Sequence, residues 1–176
     1  MFATIYLPNF YLQAAMRHQP GLCAKPVALI EEQEKKPVII QLNEAAERAG
    51  ICKGMTPSQA LARSLQVVIK VRARTQEKSI QEILVHYAFT LSPFVEATAP
   101  GICTVQFTDH RRLQAKVVRV IEQLTECEIS SQAGIAVTPD TSFLAAHLAQ
   151  PVLHIENVKE FLAPLPIETL ATIGAT

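Results

Sequence analysis

Hydrophobic and polar positions alternate from Phe2 to Leu7, with Ala3, Ile5 and Leu7 on one side and Phe2, Thr4 and Tyr6 on the other. This predicts a strand that runs into a turn at Pro8-Asn9. A helix is expected next, from about Phe10 to His18. Two short apolar runs, Val27 to Ile30 and Val38 to Leu42, flank the polar turn Glu31 to Lys36 and read as a hairpin. Asn43 is placed to cap a short helix that Gly50 ends. Thr56-Pro57 opens another helix, to about Leu65, with proline in the first turn where its missing N–H costs nothing. A strand is expected over Val67 to Val71.

The second half changes period. Ile80, Ile83, Leu84, Tyr87 and Leu91 form one stripe of a long helix over Glu77 to Leu91, which Pro93 stops. Phe94 to Ala99 and Ile102 to Thr108 read as strands joined at Pro100-Gly101, with one sheet face in the core and the other open. Asp109 is expected to cap a helix bearing Leu113, Val117, Val120, Ile121 and Leu124. A strand from Ser131 to Val137 follows, and then a helix beginning at Pro139-Asp140, with both aspartates in capping roles. Strands and helices from the two ends of the chain share one layer. The expected fold is therefore α+β, a ferredoxin-like split βαβ sheet interrupted by a small, mostly helical insert at about 19–74.

At 176 residues and 49% hydrophobic composition, the chain can bury one good-sized core or a core with a smaller subdomain. There is no cleavable leader pattern, and no run nears the roughly 18 apolar residues that span a bilayer, so a cytoplasmic protein without membrane contact is expected. Cys23, Cys52, Cys103 and Cys127 lie far apart in apolar surroundings and read as buried free thiols. His18, His86, His110, His147 and His154 show no zinc-site spacing and read as surface or packing residues.

The net charge of zero conceals a split. Residues 1–74 carry ten Lys or Arg against five Glu, and the remainder carries six against eleven acids. From Arg48 to Arg74 there are six cations, Arg48, Lys53, Arg63, Lys70, Arg72 and Arg74, and no acid, which is an electrostatic footprint for a polyanion such as DNA. The competing account is a solvated face whose counter-charges lie elsewhere in the fold.

Three stretches stand in the order and spacing of a known family: Arg17-His18-Gln19-Pro20 through Lys25-Pro26-Val27-Ala28, Asn43 through Gly50-Ile51 and Gly54-Met55, and Phe94 through Phe107-Thr108-Asp109. In these the chain resembles the N-terminal part of the Y-family (UmuC/DinB-like) translesion DNA polymerases. The resemblance implies a palm-like domain from 1–18 and 75–164, a fingers-like insert at 19–74, and the start of a helix-hairpin-helix thumb at 165–176. It leaves the family's separate C-terminal DNA-binding domain and clamp-binding motif outside the chain.

The same alignment empties the catalytic positions. Family members hold two divalent cations on hard carboxylate oxygens. Here the acid positions fall on Tyr6 and on Gly101 and Ile102, with a further one on Pro8. The triphosphate-binding Tyr and Arg of the short fingers helix fall on Glu44 and Glu47, whose charge would repel a triphosphate, and a later Lys falls near Ala146 or His147. Glu96 matches a family Glu but stands alone, and Tyr11 matches the aromatic that walls off the ribose 2′ position.

By resemblance this is the mark of the catalytically inactive ImuB-type branch. Such proteins act as adaptors in translesion synthesis and DNA repair within SOS mutagenesis, linking a sliding clamp, a RecA-like protein and a separate error-prone polymerase. The expected protein binds DNA through its basic lobe, needs no cofactor and holds no metal. Two alternatives remain: an active error-prone polymerase with relocated Mg²⁺ ligands, and a ferredoxin-like protein-interaction module with no nucleic-acid role.

Overall fold

The computed structural model describes residues 1–31, 36–109 and 111–166. The elements run β1 (Phe2–Tyr6), α1 (Phe10–Met16), β2 (Val27–Ile30), β3 (Ile39–Leu42), α2 (Glu44–Arg48), α3 (Pro57–Arg63), β4 (Val68–Val71) and α4 (Arg74–Leu91). They continue β5 (Phe94–Ala99), β6 (Ile102–Gln106), α5 (Leu113–Glu126), β7 (Gln132–Ala136), α6 (Pro139–Leu148), β8 (Val152–His154) and α7 (Val158–Leu162). They divide into two compact units, Met1–Pro8 with Gln81 onward, and Asn9–Ile80. Among the described residues no helix is long and apolar enough to cross a membrane.

The first unit is built on a sheet ordered β5-β6-β1-β7-β8. β1 lies antiparallel between β6 and β7, β5 is antiparallel to β6, and β8 adds parallel to β7. The first four strands are the ferredoxin-like arrangement expected from the split βαβ pattern. Side chains alternate across the pleat, so Ala3 and Ile5 on β1 and Cys103 and Val105 on β6 all point to one face, and all four are fully buried. The stripes Leu84 and Ala88 on α4 and Leu113, Val117, Val120, Ile121 and Leu124 on α5 are buried with them.

The other sheet face was expected to be open. It is covered by α6, which packs on β7 and β1 because Gly134 of β7 has no side chain to hold it off. A Cβ there would stand 2.6 Å from the carbonyl carbon of Ala145, and closer still to Ala146 N and Ser142 O. All three are backbone atoms of the helix, which cannot swing aside as a side chain could.

The second unit contains a three-stranded sheet, β3-β2-β4, with β2 antiparallel to β3 and parallel to β4. The expected hairpin is present, and the expected mostly helical insert is therefore mixed. One core cluster joins Ala28, Ile39, Leu42, Ala46, Ile51, Ala60 and Val67. A second joins Leu12 and Ala15 of α1 to Val27 and Leu29 of β2. That second cluster is why α1 groups with the insert and not with the palm-like domain, as the boundaries 1–18 and 19–74 would have it. The first turns of α4 also lie on this side of the boundary. The thumb-like residues 167–176 lie outside the described residues.

Local signals are correct in the second unit. The side chain of Asn43 accepts from Ala46 N, and Thr56 and Gln59 form a reciprocal capping box ahead of Pro57. The two aspartates are different. α5 starts at Leu113 after Arg112, which takes a left-handed conformation without side-chain capping, while Asp109 accepts from Arg111 N in the preceding turn. At α6 the cap is Thr138, whose hydroxyl accepts from Thr141 N, and Asp140 is the second residue of the first turn, beside the positive end of the helix dipole. Two thiols also depart from expectation, since Cys23 and Cys52 are exposed. Cys103 is buried, and burial pushes its thiol up to about 12.

Gly134→Ala is expected to destabilise the first unit by about 3 kcal/mol or more in chemical denaturation, because either the helix or the strand must move. Gly21→Ala, where nothing lies within 4 Å of the added carbon, is the matched control and should change stability by less than about 0.5 kcal/mol.

Candidate functional site

Tyr6 ends β1 directly opposite Ile102 of β6 on one side and Gln132 of β7 on the other. Directly opposed residues share a sheet face, so Tyr6 and Ile102 stand together beneath α6. The Thr4 hydroxyl lies 2.8 Å from that of Ser142 on α6 and 3.1 Å from that of Thr104 on β6, fixing the helix against the same face. Further along α6, the His147 ring stacks on Tyr6 with centroids 4.0 Å apart and planes inclined by 23°. The Phe143 ring lies 4.5 Å from that of His147.

His147 Nδ1 is 2.9 Å from the Phe143 carbonyl oxygen. A carbonyl can only accept, so Nδ1 carries the proton and Nε2 carries the lone pair. That Nε2 is buried without a hydrogen-bond partner. Burial lowers the His147 pKa, partly opposed by the bond to Phe143, so the ring is neutral at pH 7. Burial likewise raises the Tyr6 phenol, which keeps its proton.

The face thus offers a phenol, an imidazole and an aliphatic side chain where the resemblance places carboxylates. Mg²⁺ requires hard anionic oxygens, and neither Tyr6, Gly101 nor Ile102 supplies one, so the residues present do not fit the metal pair. Among the described residues no group of three His, Cys, Asp or Glu side chains could hold a metal ion. Gly101 takes a left-handed conformation at the β5–β6 turn and accepts from Leu7 N at 2.9 Å, a purely structural role. Glu96 is exposed opposite Thr104. The sequence points to Tyr6, whereas it marks His147 as a surface or packing residue near a family lysine position and gives no sign that the two rings meet. The aromatic pair Phe143 and His147, one helical turn apart on α6, was the signal available for His147 itself.

The six cations of the acid-free block are not equivalent. Arg72 is an interior residue. Its guanidinium donates twice to Glu77, at 2.9 and 2.6 Å, and once to Glu31 at 2.8 Å, and it lies 3.8 Å over the Tyr11 ring. With its side chain only 13% exposed, it cannot also reach a phosphate. Arg74 donates to the same Glu31 at 2.9 Å. The hydrogen bond from Arg72 leads the causes that hold the Glu31 carboxyl below its ordinary range. Tyr11 is thereby committed as the platform for Arg72.

The remaining four face outward. Arg48 pairs with Glu44 at 3.3 Å on an exposed helix surface, and Lys70 Nζ donates to Gln19 at 2.7 Å. Lys53 and Arg63 are exposed, and their side chains make no hydrogen bond or ion pair among the described residues. Glu44 and Glu47 both lie in the first turn of α2. Glu44 and Arg48 line an open groove of about 400 Å³ together with Cys23, Pro26 and Asn43. The Glu44 carboxylate makes that groove a poor seat for a triphosphate.

Neutral His147 carries a stability prediction. The native state holds the ring unprotonated, whereas the unfolded chain takes up a proton as pH falls below its ordinary value of 6.5. Stability contributed by this group is complete above 6.5 and declines as pH falls from there toward the lowered native value, by at most about 1.4 kcal/mol per pH unit. Denaturant titrations at about pH 7.5 and about pH 5.5 should show a smaller acid loss for His147→Phe than for the unsubstituted protein.

Comparison with known proteins agrees with this geometry. Residues 5–147 match the model of the IMS family, described as impB/mucB/samB. The chain is 27% identical over 176 residues to DNA polymerase IV of Ralstonia nicotianae, covering 94% of this chain and 49% of that protein. It is 25% identical over 178 residues to DNA polymerase IV of Legionella pneumophila strain Paris, again covering 94% and 49%. The chain therefore spans about half the length of the curated relatives it matches. Among solved structures, DinB from Sulfolobus solfataricus superposes with a TM-score of 0.82 at 14% identity, over 96% of this chain and 52% of that one. An insertion ternary complex of Dbh DNA polymerase gives 0.83 at 14% identity, over 96% and 53%. The chain belongs to the impB/mucB/samB family, and its fold is that of the N-terminal palm and fingers part of the Y-family DNA polymerases.

Proposed function

We propose that this chain is a non-catalytic Y-family polymerase body that serves as an accessory or adaptor in translesion synthesis and DNA repair, leaving nucleotide addition to a separate error-prone polymerase. The observation that carries this reading is the Tyr6–His147 stack, with ring centroids 4.0 Å apart on the sheet face where the family needs carboxylates. A single lost acid could be replaced by a neighbour. A helix packed on the face, with two neutral aromatic groups in contact, supplies no anionic oxygen for the metal pair. Glu44 and Glu47 on α2 support the same conclusion from the triphosphate side.

DNA is held in this reading by Arg48, Lys53, Arg63 and Lys70, through phosphate contacts that carry no sequence information. Arg72 supports the lobe from within and does not belong to the contact set, and Arg74, although exposed, is held on Glu31. The partners this role implies are a sliding clamp, a RecA-like protein and the separate polymerase. Partnering of Arg72 and Arg74 by Glu31 and Glu77 is the observation that favours the alternative of a protein-interaction module, since acids outside the acid-free block offset two of its six cations.

Primer extension with dNTPs and either Mg²⁺ or Mn²⁺ is expected to give no incorporation, and any incorporation above a protein-free blank overturns the non-catalytic reading. Fluorescence anisotropy with a primer–template should show binding that weakens on the order of 100-fold between about 50 and about 200 mM salt for four phosphate contacts. Lys53→Glu with Arg63→Glu should weaken it further and flatten that dependence. Undetectable binding at low salt, or binding indifferent to both salt and charge reversal, would reject the DNA role and favour the protein-interaction module.

A further inference from the structure

A second basic surface lies in the first unit, within the half of the chain whose net charge is negative. From Arg111 to Arg119 the sequence carries four cations, Arg111, Arg112, Lys116 and Arg119, and no acid. All four are exposed, and none has an ion pair or hydrogen-bonded side-chain partner among the described residues. Arg112, Lys116, Arg119 and Gln123 follow one another at i, i+4, i+7 and i+11, a single stripe down α5. The buried stripe Leu113, Val117, Val120 and Leu124 runs beside it, one position on.

The cationic stripe borders a groove of about 350 Å³ lined by Thr90 and Leu91 from the end of α4 and by Lys116, Arg119, Val120 and Gln123 from α5. Its lining therefore combines two cations, two aliphatic side chains and two uncharged polar groups. A concavity that sets the partly exposed Leu91 beside lysine and arginine suits a protein segment carrying both carboxylates and an apolar side chain. The unbalanced positive charge specifies the partner's sign.

We propose that this groove between α4 and α5 docks an acidic segment of a partner protein, whose carboxylates meet Lys116 and Arg119 while an apolar side chain covers Leu91. The reading is independent of the DNA-binding lobe, which uses other residues in the other unit. Phosphates would pair with Lys116 and Arg119 as well, but they would gain nothing from Leu91, and this is what favours a peptide over a nucleic acid.

The test is selection of a random phage-displayed peptide library against the immobilised protein, followed by binding measurements on the synthesised winners. Enriched peptides should carry Asp or Glu together with Leu, Ile or Phe, and they should bind Lys116→Glu/Arg119→Glu about tenfold or more weakly than the unsubstituted protein. Lys53→Glu/Arg63→Glu should bind them unchanged. Circular dichroism establishes that both exposed double variants remain folded. Failure to enrich, winners without acidic bias, or equal binding to the Lys116/Arg119 variant overturns the proposal. Displacement of the winners by a single-stranded oligonucleotide that itself depends on Lys116 and Arg119 would also overturn it, assigning the groove to nucleic acid.

Discussion

Helix α6 can lie on the sheet only because Gly134 presents no Cβ to it, and the character of the whole palm-like face follows from that approach. With the helix backbone this close, the Ser142 hydroxyl reaches Thr4 at 2.8 Å and the His147 ring comes to rest on Tyr6. A cleft that metal chemistry would require to be wet and anionic is instead packed with neutral groups. The unpartnered His147 Nε2 is the unfavourable residue of this arrangement, offset by ring stacking and by burial of the neighbouring apolar surface. The loss of the carboxylates and the covering of the face are consistent with each other, since carboxylates beneath α6 would be buried charges without partners.

The second unit depends on a different kind of interaction. Arg72 is the hub: two carboxylates and one aromatic face converge on it from α1, the end of β2 and the first turn of α4. Removing it would leave Glu77, whose side chain is only 9% exposed, with no cation nearer than Arg74 at 3.9 Å. A lysine could not replace it, because the planar guanidinium both forks onto Glu77 and stacks on Tyr11. The most conspicuous cations of the acid-free block are in this way structural, and the electrostatic surface offered to solvent is carried by the less conspicuous ones around them.

The two units use charge differently. In the second, buried ions cross-link elements and leave a modest ring of exposed cations. In the first, buried polar groups are neutral, and the exposed cations gather on α5, on the layer away from Tyr6. The architecture is that of a polymerase palm and fingers, and neutral side chains stand on the face where the family's carboxylates would lie.

The amino-acid sequence by itself determined the order and type of most elements, the ferredoxin-like pairing, and the absence of acids at Tyr6, Gly101 and Ile102. These follow from short-range rules: side-chain period, capping residues such as Asn43 and Thr56, and the identity of single positions. β8 and α7 escaped it because each is only a few residues long. Asp109 and Asp140 misled it because a capping residue can be identified only once the first helical turn is known. Tertiary structure alone decided that Arg72 is interior while Lys53 and Arg63 are not, and that α1 belongs with the insert. It also decided that α6 closes the face and brings His147 to Tyr6, and that Lys116 and Arg119 border a groove. Each of these depends on which residues distant in sequence meet in space, and a carboxylate 41 positions from an arginine, as Glu31 is from Arg72, leaves no local trace of the pairing.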